Sequence, residues 1–265
     1  DYTFAECSNL KHAKIPNSVI SVGESAFAFC KNLTNIELSD NITSIGNSAF
    51  EGCNSIKNIS IPSKLKNLGS YVFRYCYDLV NIEIPDSVED MGNGVFSYCD
   101  SLISIKLPNC VTKIDREMFY FCNKLASLEI TSSLLVIEEG ALDWCNLKEI
   151  YYKDTVEKFI KNMNLYSCLL NTSHFFILKD NAYSEVSEIT LPETMTSVSA
   201  GLFRGCGFLR KIIVSKSVTS IDEAAFDNCT NLVSVVLPDT LKIINNWAFS
   251  HCTNLTNINI PDSVV

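Results

Sequence analysis

The sequence predicts a solenoid built from stacked 23-residue repeats, and three columns of residues carry this prediction. Cysteine recurs at a fixed spacing in two blocks, at Cys7, Cys30, Cys53, Cys76, Cys99, Cys122 and Cys145 and then at Cys206, Cys229 and Cys252. A large apolar residue lies three positions before each of these cysteines, and it is phenylalanine everywhere except at Leu142. All seven prolines occupy one column, 14 residues before a cysteine position of the grid. Supersecondary units that recur at a fixed period of this length stack into solenoids.

Each repeat is predicted to contain a short strand with one buried face, as residues 79–85 illustrate. Apolar and polar residues alternate here, so Ile82 and Ile84 are predicted to point inward and Glu83 outward. Pro85 then ends the strand, because proline has no backbone N–H to donate to a neighbouring strand. Stacked repeats would place such strands side by side in a parallel sheet, about 4.8 Å apart.

The rest of the repeat is predicted to hold a second extended piece and a helical or 3₁₀ turn. Val88 and Met91 are predicted to turn inward on the extended piece, and Phe96 and Cys99 to lie one turn apart. A tight turn is predicted seven residues before the cysteine, in a column that holds Gly23, Gly46, Gly69 and Gly92 and later Asp115, Ser199, Asp222 and Asn245. Because glycine, asparagine and aspartate tolerate left-handed backbone, we expect left-handed backbone in that column.

The grid cysteines are predicted to form a ladder of buried free thiols. Equivalent residues in a stack have parallel Cα–Cβ bonds, so their Cβ atoms stay about 5 Å apart, farther than the roughly 3.5–4.5 Å of a disulfide. We therefore expect these thiols to act as small apolar side chains with weak hydrogen-bond donors.

Composition excludes several classes of function. The chain has 265 residues and a formal net charge of −9 at pH 7, which disfavours binding to nucleic acid or to an anionic membrane surface. No apolar run approaches the roughly 18 residues of a transmembrane helix, so no membrane insertion of this segment is expected. The chain begins and ends within a repeat and shows no polar caps, so we expect it to be part of a longer protein.

One solenoid domain spanning residues 1–265 is predicted, with an insert that separates two blocks of repeats. The blocks cover residues 1–152 and 183–265, and the insert covers 153–182. A short amphipathic helix is predicted over about 155–164, from the cap-like pair Asp154 and Glu157 and from Val156, Phe159, Ile160 and Met163 at helical spacing.

The remainder of the insert is predicted to be a decayed repeat followed by a strand. Cys168 lies 23 residues after Cys145 and Leu165 lies 23 after Leu142, while residues 174–179 favour a strand. The insert is interpreted as a structural joint, and a binding element is the alternative.

The residue types that carry chemistry do not form a recognisable catalytic pattern. His12, His174 and His251 are scattered, and neither the cysteine spacing nor the rest of the chain matches a zinc site, a phosphate loop or a nucleophile elbow. Glu37, Glu83 and Glu129 lie two repeats apart, roughly 10 Å by strand spacing, which is wide for the acid pair of a retaining glycosidase. We predict a non-enzymatic protein that needs no cofactor and no metal.

The repeat resembles the BspA-type leucine-rich repeat. The shared unit reads Ile-Pro-x-Ser-Val-x-x-Ile/Leu-Gly-x-x-Ala/Val-Phe-x-x-Cys-x-x-Leu-x-x-Ile, and it covers residues 1–152 and 183–265. The resemblance implies a leucine-rich-repeat solenoid, a right-handed superhelix that is β-rich, with a parallel concave sheet, short helical or 3₁₀ turns and, here, one short inserted helix. It also implies a cell-surface or secreted protein of the kind associated with adhesion and host-protein binding.

The outward strand positions of the concave sheet are the predicted binding surface, because repeat solenoids bind through extended concave faces. The central outward position lies seven residues after each cysteine position of the grid, or six after Cys145, because one residue is lost before Leu147. The candidate binding residues in this column are Tyr151, Ile213, Val236, Thr190, Glu129, Lys106 and Glu83. Exposed apolar side chains at Tyr151, Ile213 and Val236 would indicate a contact surface, although solitary exposed apolar residues are also common.

Three functional interpretations remain. The favoured one is a monomeric binding or adhesion module that recognises a protein or glycan partner, such as a host extracellular molecule. The second is a structural spacer that carries another domain of a longer protein. The third is an enzyme whose site lies in the 153–182 insert.

Overall fold

The structure is a computed structural model that describes residues 1–138, 141–142, 144–162, 173–179 and 182–265. It divides into two compact units, Asp1–Leu147 and Lys148–Val265. Each unit is a solenoid of parallel strands, which confirms the predicted repeat solenoid. The division of a single domain into blocks at residues 152 and 183 stays a prediction.

The first unit contains two series of short strands. The series that carries the outward column is β1 (His12–Lys14), β3 (Asn35–Glu37), β5 (Asn58–Ser60), β7 (Asn81–Glu83), β9 (Ser104–Lys106) and β11 (Ser127–Ile130). The second series is β2 (Ser21–Val22), β4 (Ser44–Ile45), β6 (Asn67–Leu68), β8 (Asp90–Met91), β10 (Lys113–Ile114) and β12 (Val136–Ile137). Partners are one repeat apart in sequence and parallel, as in the pairs His12↔Asn35 and Asn58↔Asn81.

The second unit begins with the insert and then resumes the repeat. Its elements are β13 (Glu149–Tyr152), α1 (Val156–Asn162), β14 (His174–Lys179), β15 (Ala182–Glu185), β16 (Glu188–Thr190), β17 (Ser197–Val198), β18 (Lys211–Ile213), β19 (Ser220–Ile221), β20 (Ser234–Val236), β21 (Ile243–Ile244) and β22 (Asn257–Ile258). Strands β16, β18, β20 and β22 form one parallel sheet, and β17, β19 and β21 form another.

The insert contains the predicted helix and strand. Helix α1 lies inside the predicted 155–164 range, and β14 occupies the predicted 174–179. Met163, Leu165 and Cys168 lie outside the described residues, so the decayed repeat stays a prediction. Strand β15 is an addition that was not predicted: it pairs antiparallel with β14, whereas β13 pairs with β14 in parallel.

Alternation places the strand side chains as predicted. Ile82 and Ile84 are buried and Glu83 is exposed, while Val88 is buried and Met91 is half-buried on the second piece. The turns of each repeat are closed by hydrogen bonds between residues three apart, for example from Cys99 N to Phe96 O. These are the short turns that the spacing predicted.

A ladder of phenylalanine rings fills the core of the first unit, and we call it the inner phenylalanine ladder. Successive rings from Phe4 to Phe119 lie 5.1, 5.6, 5.8, 6.0 and 5.9 Å apart between centroids. Their planes diverge by no more than 17°, and Phe50, Phe73, Phe96 and Phe119 are fully buried. Phe203, Phe226 and Phe249 repeat the arrangement in the second unit.

The cysteine ladder lies beside these rings and confirms the prediction of buried thiol donors. Eight of the grid thiols donate to the carbonyl of the phenylalanine 26 residues earlier, as Cys76 Sγ does to Phe50 O at 3.2 Å and Cys99 Sγ to Phe73 O at 3.1 Å. The described cysteines are free thiols, and Cys7, at the start of the ladder, is exposed. Burial raises the pKa of the thiols of Cys53, Cys76, Cys99 and Cys122 well above its ordinary range.

The glycine column does form a tight turn, but the predicted left-handed backbone is not in it. The N–H of Ala49 donates to the carbonyl of Gly46, and the left-handed residue of that turn is Ser48, with a φ of 53°. At the four glycines of the column, close packing leaves no room for a side chain: a Cβ on Gly69 would lie 2.6 Å from the backbone nitrogen of Asn47 in the preceding repeat. The predicted tight turn is therefore confirmed, but glycine is favoured there by close packing between repeats and not by left-handed backbone.

Candidate binding surface

The outward strand column of the first unit is a polar surface linked by ion pairs. Lys106 and Glu129 are paired in register on β9 and β11, and Lys106 Nζ lies 3.6 Å from a carboxylate oxygen of Asp86. Lys14 Nζ lies 3.0 Å from Glu37 Oε2 in the same column. Glu83 is exposed on β7, next to β9. Surface ion pairs of this kind contribute little to the stability of the fold. We therefore interpret this row as a solvent-exposed polar face rather than as part of the core.

The predicted binding residues of the second unit fall into two groups. Thr190, Ile213 and Val236 are brought into one row by parallel pairing of β16, β18 and β20. Val236 is 47% exposed, whereas Ile213 is half-buried between its neighbours. Tyr151 lies in a different sheet, on β13.

Tyr151 is the centre of an aromatic cluster that sequence reasoning found only in part. Its ring stacks on that of Phe176 in β14, with centroids 4.6 Å apart and planes 7° apart. Tyr183 in β15 approaches the same ring edge-on, at 4.9 Å. We call Tyr151, Phe176 and Tyr183 the strand-face aromatic cluster. Stacked and edge-to-face pairs at these distances are favourable geometries for aromatic rings.

Carboxylates and one histidine surround the strand-face aromatic cluster. The hydroxyl of Tyr151 donates to Glu149 Oε2 at 3.1 Å, and desolvation together with this bond raises the pKa of Tyr151. His174 Nδ1 lies 2.6 Å from Glu185 Oε1, and its ring stacks at 6.3 Å on Phe176. Rings with a polar rim are the composition of a recognition site rather than of a hydrophobic core.

Alternation along β14 is the signal that could have identified Phe176. The strand was predicted at 174–179, and parallel pairing places Phe176 directly beside Tyr151. Tyr183 carried no such signal, because its position depends on the antiparallel return of β15.

A cleft of about 570 Å³ lies within the second unit beside α1. Its lining includes Thr155, Lys158 and Ile160 from the helix segment and Met195 and Ser197 from the following repeat. Lys158 Nζ lies 2.6 Å from Asp154 Oδ2, so the lysine is held in an ion pair. The described lining also includes Glu157 and Ser199, and the interpretation of the insert as an enzyme site stays a hypothesis.

Neither a metal centre nor a membrane span is found in the part of the chain that the structure describes. Its histidine, cysteine and acidic residues do not gather into groups able to hold a metal ion. No described helix combines the length and apolar character needed to cross a bilayer.

Comparison with known proteins assigns the family. The sequence profile of the BspA type leucine rich repeat region, with six copies, matches residues 1–108, 55–171 and 161–265. The chain belongs to the BspA-type leucine-rich repeat family. In this BspA-type solenoid, the profile match therefore covers the central insert as well as the two blocks that carried the sequence resemblance.

Solved structures with the same fold support the assignment. A leucine-rich repeat protein from Bacteroides ovatus ATCC 8483 is 27% identical over 98% of this chain and 69% of its own, with a TM-score of 0.61. A leucine rich cell surface protein from Faecalibacterium prausnitzii A2-165 is 24% identical over 97% of this chain and 77% of its own, with a TM-score of 0.58. A search of curated proteins found no match.

Proposed function

We propose that this BspA-type chain is a non-enzymatic recognition module, displayed on a cell surface or secreted, that binds a protein or glycan partner. The strand-face aromatic cluster is the observation that carries the proposal. In the first unit the outward column is charged and linked by ion pairs, whereas at Tyr151 it presents a stacked ring within a polar rim. The description of the Faecalibacterium protein as a cell surface protein supports the location.

The row formed by Thr190, Ile213 and Val236 extends the proposed contact surface. Val236 offers an exposed apolar side chain, and Thr190 offers a hydroxyl on the neighbouring strand. Aromatic side chains dominate the energetics of recognition surfaces, so we assign the main contact to Tyr151 and Phe176 and supporting contacts to Val236 and Ile213. Glu83, Lys106 and Glu129 belong to the first unit and stay a separate prediction, outside the contact assigned here.

The test uses the whole chain against purified extracellular-matrix proteins and immobilised glycans. We expect at least one probe to bind and the double variant Tyr151→Ser, Phe176→Ser to bind it about tenfold or more weakly, a loss of about 1.4 kcal/mol. The matched control is Glu83→Ser with Lys106→Ser on the charged row, which should retain binding within a few fold. Binding that the aromatic variant leaves unchanged would reject this surface, and a chain that binds no probe would favour the spacer interpretation.

A further inference from the structure

The residue immediately before each grid cysteine has left-handed backbone. The φ angles at Gly52, Gly205 and Asn228 are 68°, 71° and 60°, which these residue types accept readily. Glu6, Phe29 and His251 adopt it as well. Four successive repeats of the first unit place bulky aromatic residues in this conformation: Tyr75, Tyr98, Phe121 and Trp144, with φ of 61°, 61°, 59° and 67°. We call these four residues the outer aromatic ladder.

The fold requires left-handed backbone at these positions, but it does not require an aromatic residue there. A left-handed residue with a side chain costs roughly 1–2 kcal/mol, and Gly52 and Asn228 show that the same turn forms with residues that tolerate it better. Aromatic residues kept where glycine or asparagine would fit with less strain are a pointer towards function.

Contacts between the rings offset the energy of the left-handed backbone, but they leave no clear net gain in the stability of the fold. The three successive centroid distances are 4.8, 5.1 and 5.2 Å; the first pair is tilted by 38°, and the other two are stacked. Each such pair contributes about 0.5–1.5 kcal/mol beyond area burial, which is close to the strain of one residue. The rings remain accessible all the same: Trp144 is 64% exposed, and the other three are half-buried.

The outer aromatic ladder presents ring edges and polar tips rather than open ring faces. Tyr98 and Phe121 each have a ring neighbour on both sides along the ladder. Tyr77 and Tyr120 flank it, and Tyr120 lies edge-on to Tyr98 and Phe121, at 86° and 84°. Aromatic edges carry positive partial charge, and tyrosine hydroxyls and the indole N–H are donors, so this surface favours a ligand rich in unpaired carbonyl oxygens.

This geometry favours an extended polypeptide over a sugar. A pyranose ring binds aromatic residues through their faces, and inside the ladder those faces are covered. A polyproline II segment exposes all its carbonyl groups, because it has no internal hydrogen bonds, and it loses little conformational entropy on binding. At about 3.1 Å per residue, roughly five residues would follow the ladder from Tyr75 to Trp144.

Charge complementarity favours a basic segment. Asp78 follows Tyr77 in sequence and is exposed. Asp100 is half-exposed, accepts a hydrogen bond from Asn123 Nδ2 at 2.9 Å, and is one of the groups that raise the pKa of Tyr77, after desolvation and Tyr75. The guanidinium of Arg74 already lies 4.7 Å from the centroid of Tyr75 and 4.0 Å from Glu51, so a ring of this ladder accommodates a guanidinium. The net charge of −9 attracts cationic partners over a longer range.

We propose that the outer aromatic ladder is a docking surface for a basic, proline-rich polypeptide segment in the polyproline II conformation. It goes beyond the proposed function, since it uses loop residues of the first unit rather than strand residues of the second. The ring edges and donors contact proline rings and carbonyls, and Asp78 and Asp100 pair with lysine or arginine of the segment.

The test measures binding of labelled synthetic peptides to the whole chain by fluorescence anisotropy. The probes are a peptide of repeated Pro-Pro-Arg units, the same peptide with glutamate in place of arginine, and an alanine-rich peptide of equal charge to the first. The loss variant is Tyr98→Asn with Phe121→Asn, because asparagine occupies the same left-handed position at Asn228. The control is Tyr151→Ser with Phe176→Ser, which removes the site of the proposed function and leaves the ladder intact.

We expect the Pro-Pro-Arg peptide to bind at least tenfold more tightly than either other peptide and to weaken as salt rises. The ladder variant should lose at least tenfold in affinity, and the strand-face variant should bind as the unchanged chain does. The proposal is overturned if the alanine-rich peptide binds equally well, if the ladder variant retains binding, or if no peptide binds. Binding of immobilised glycans that only the ladder variant loses would assign the surface to carbohydrate instead.

Discussion

Two aromatic ladders run along the first unit, and they differ in what their rings contact. The inner phenylalanine ladder spaces its rings 5.1–6.0 Å apart in complete burial at its centre. The outer aromatic ladder spaces its rings 4.8–5.2 Å apart on the surface. Phe73 and Tyr75 are two residues apart in sequence, so the same repeat supplies both. Repetition alone stacks rings into a ladder, and burial decides whether the ladder stabilises the fold or remains available for binding.

The largest expected difference is between a core ring and a terminal one. Phe73→Ala should lower the free energy of unfolding by about 3–5 kcal/mol, because it removes a fully buried ring and leaves a cavity. Phe4→Ala, in the same column but 44% exposed, is the matched control and should cost clearly less. Chemical denaturation of both variants measures this, and a loss below about 1 kcal/mol at Phe73 would contradict the assignment of the inner column.

A single methyl group should reveal how closely neighbouring repeats approach. Gly69→Ala should cost about 1–3 kcal/mol, since its Cβ would lie 2.6 Å from the Asn47 nitrogen, a backbone atom that cannot move alone. Ser199→Ala is the control, because this residue occupies the same column with a Cβ already present. Equal melting temperatures for Gly69→Ala and the unchanged chain would refute the close packing.

Alkaline pH should weaken the fold through the buried thiols. Burial raises the pKa of Cys99 in the folded chain, so above about pH 8.5 only the unfolded chain releases that proton. The stabilisation is complete below that pH and is lost as pH rises further, by up to about 1.4 kcal/mol per pH unit for one thiol. Cys99→Ala should flatten the decline between pH 8 and 10 in denaturant melts, whereas Cys7→Ala, at an exposed thiol, should not. An identical slope in both variants would show that other groups control the alkaline loss.

The smallest expected effect is on the outer ladder. Tyr98→Asn should change the free energy of unfolding by no more than about 1 kcal/mol, because it relieves left-handed strain while removing one stacked, one tilted and one edge-on ring contact at a half-buried site. Comparison with Phe73→Ala in the same denaturation assay would sharpen the contrast between the ladders. A cost of 3 kcal/mol or more would make the outer ladder part of the structural core.

Much of the fold was predictable from the chain because its information is repeated. The columns of Phe, Cys and Pro predicted the parallel stack, the inward Ile82 and Phe73 and the buried thiols. Strand β14 and helix α1 followed from local patterns of apolar residues. The expectations for Met163, Leu165 and Cys168 stay predictions, because these residues lie outside the part of the chain that the structure describes.

The binding surfaces were less predictable, because the position of a residue in a repeat column does not indicate which neighbouring side chains cover it. Tyr151 was identified from its outward position, but its partner Tyr183 depends on the antiparallel return of β15. Ile213 was expected to be exposed and is half-buried between Thr190 and Val236. Five of the ten residues before the grid cysteines are Phe, Tyr or Trp, yet nothing local indicated left-handed backbone there.

By itself, the sequence determined the period, the inward columns and the family, since each depends on residues at a constant spacing along one chain. Tertiary structure alone decided which backbone is left-handed, why Gly69 must lack a side chain, and which rings meet. These outcomes depend on contacts between one repeat and the next, where a few tenths of an ångström separate close packing from a clash. The two aromatic surfaces proposed for binding are products of that second level, because stacking creates them from residues that are distant in sequence.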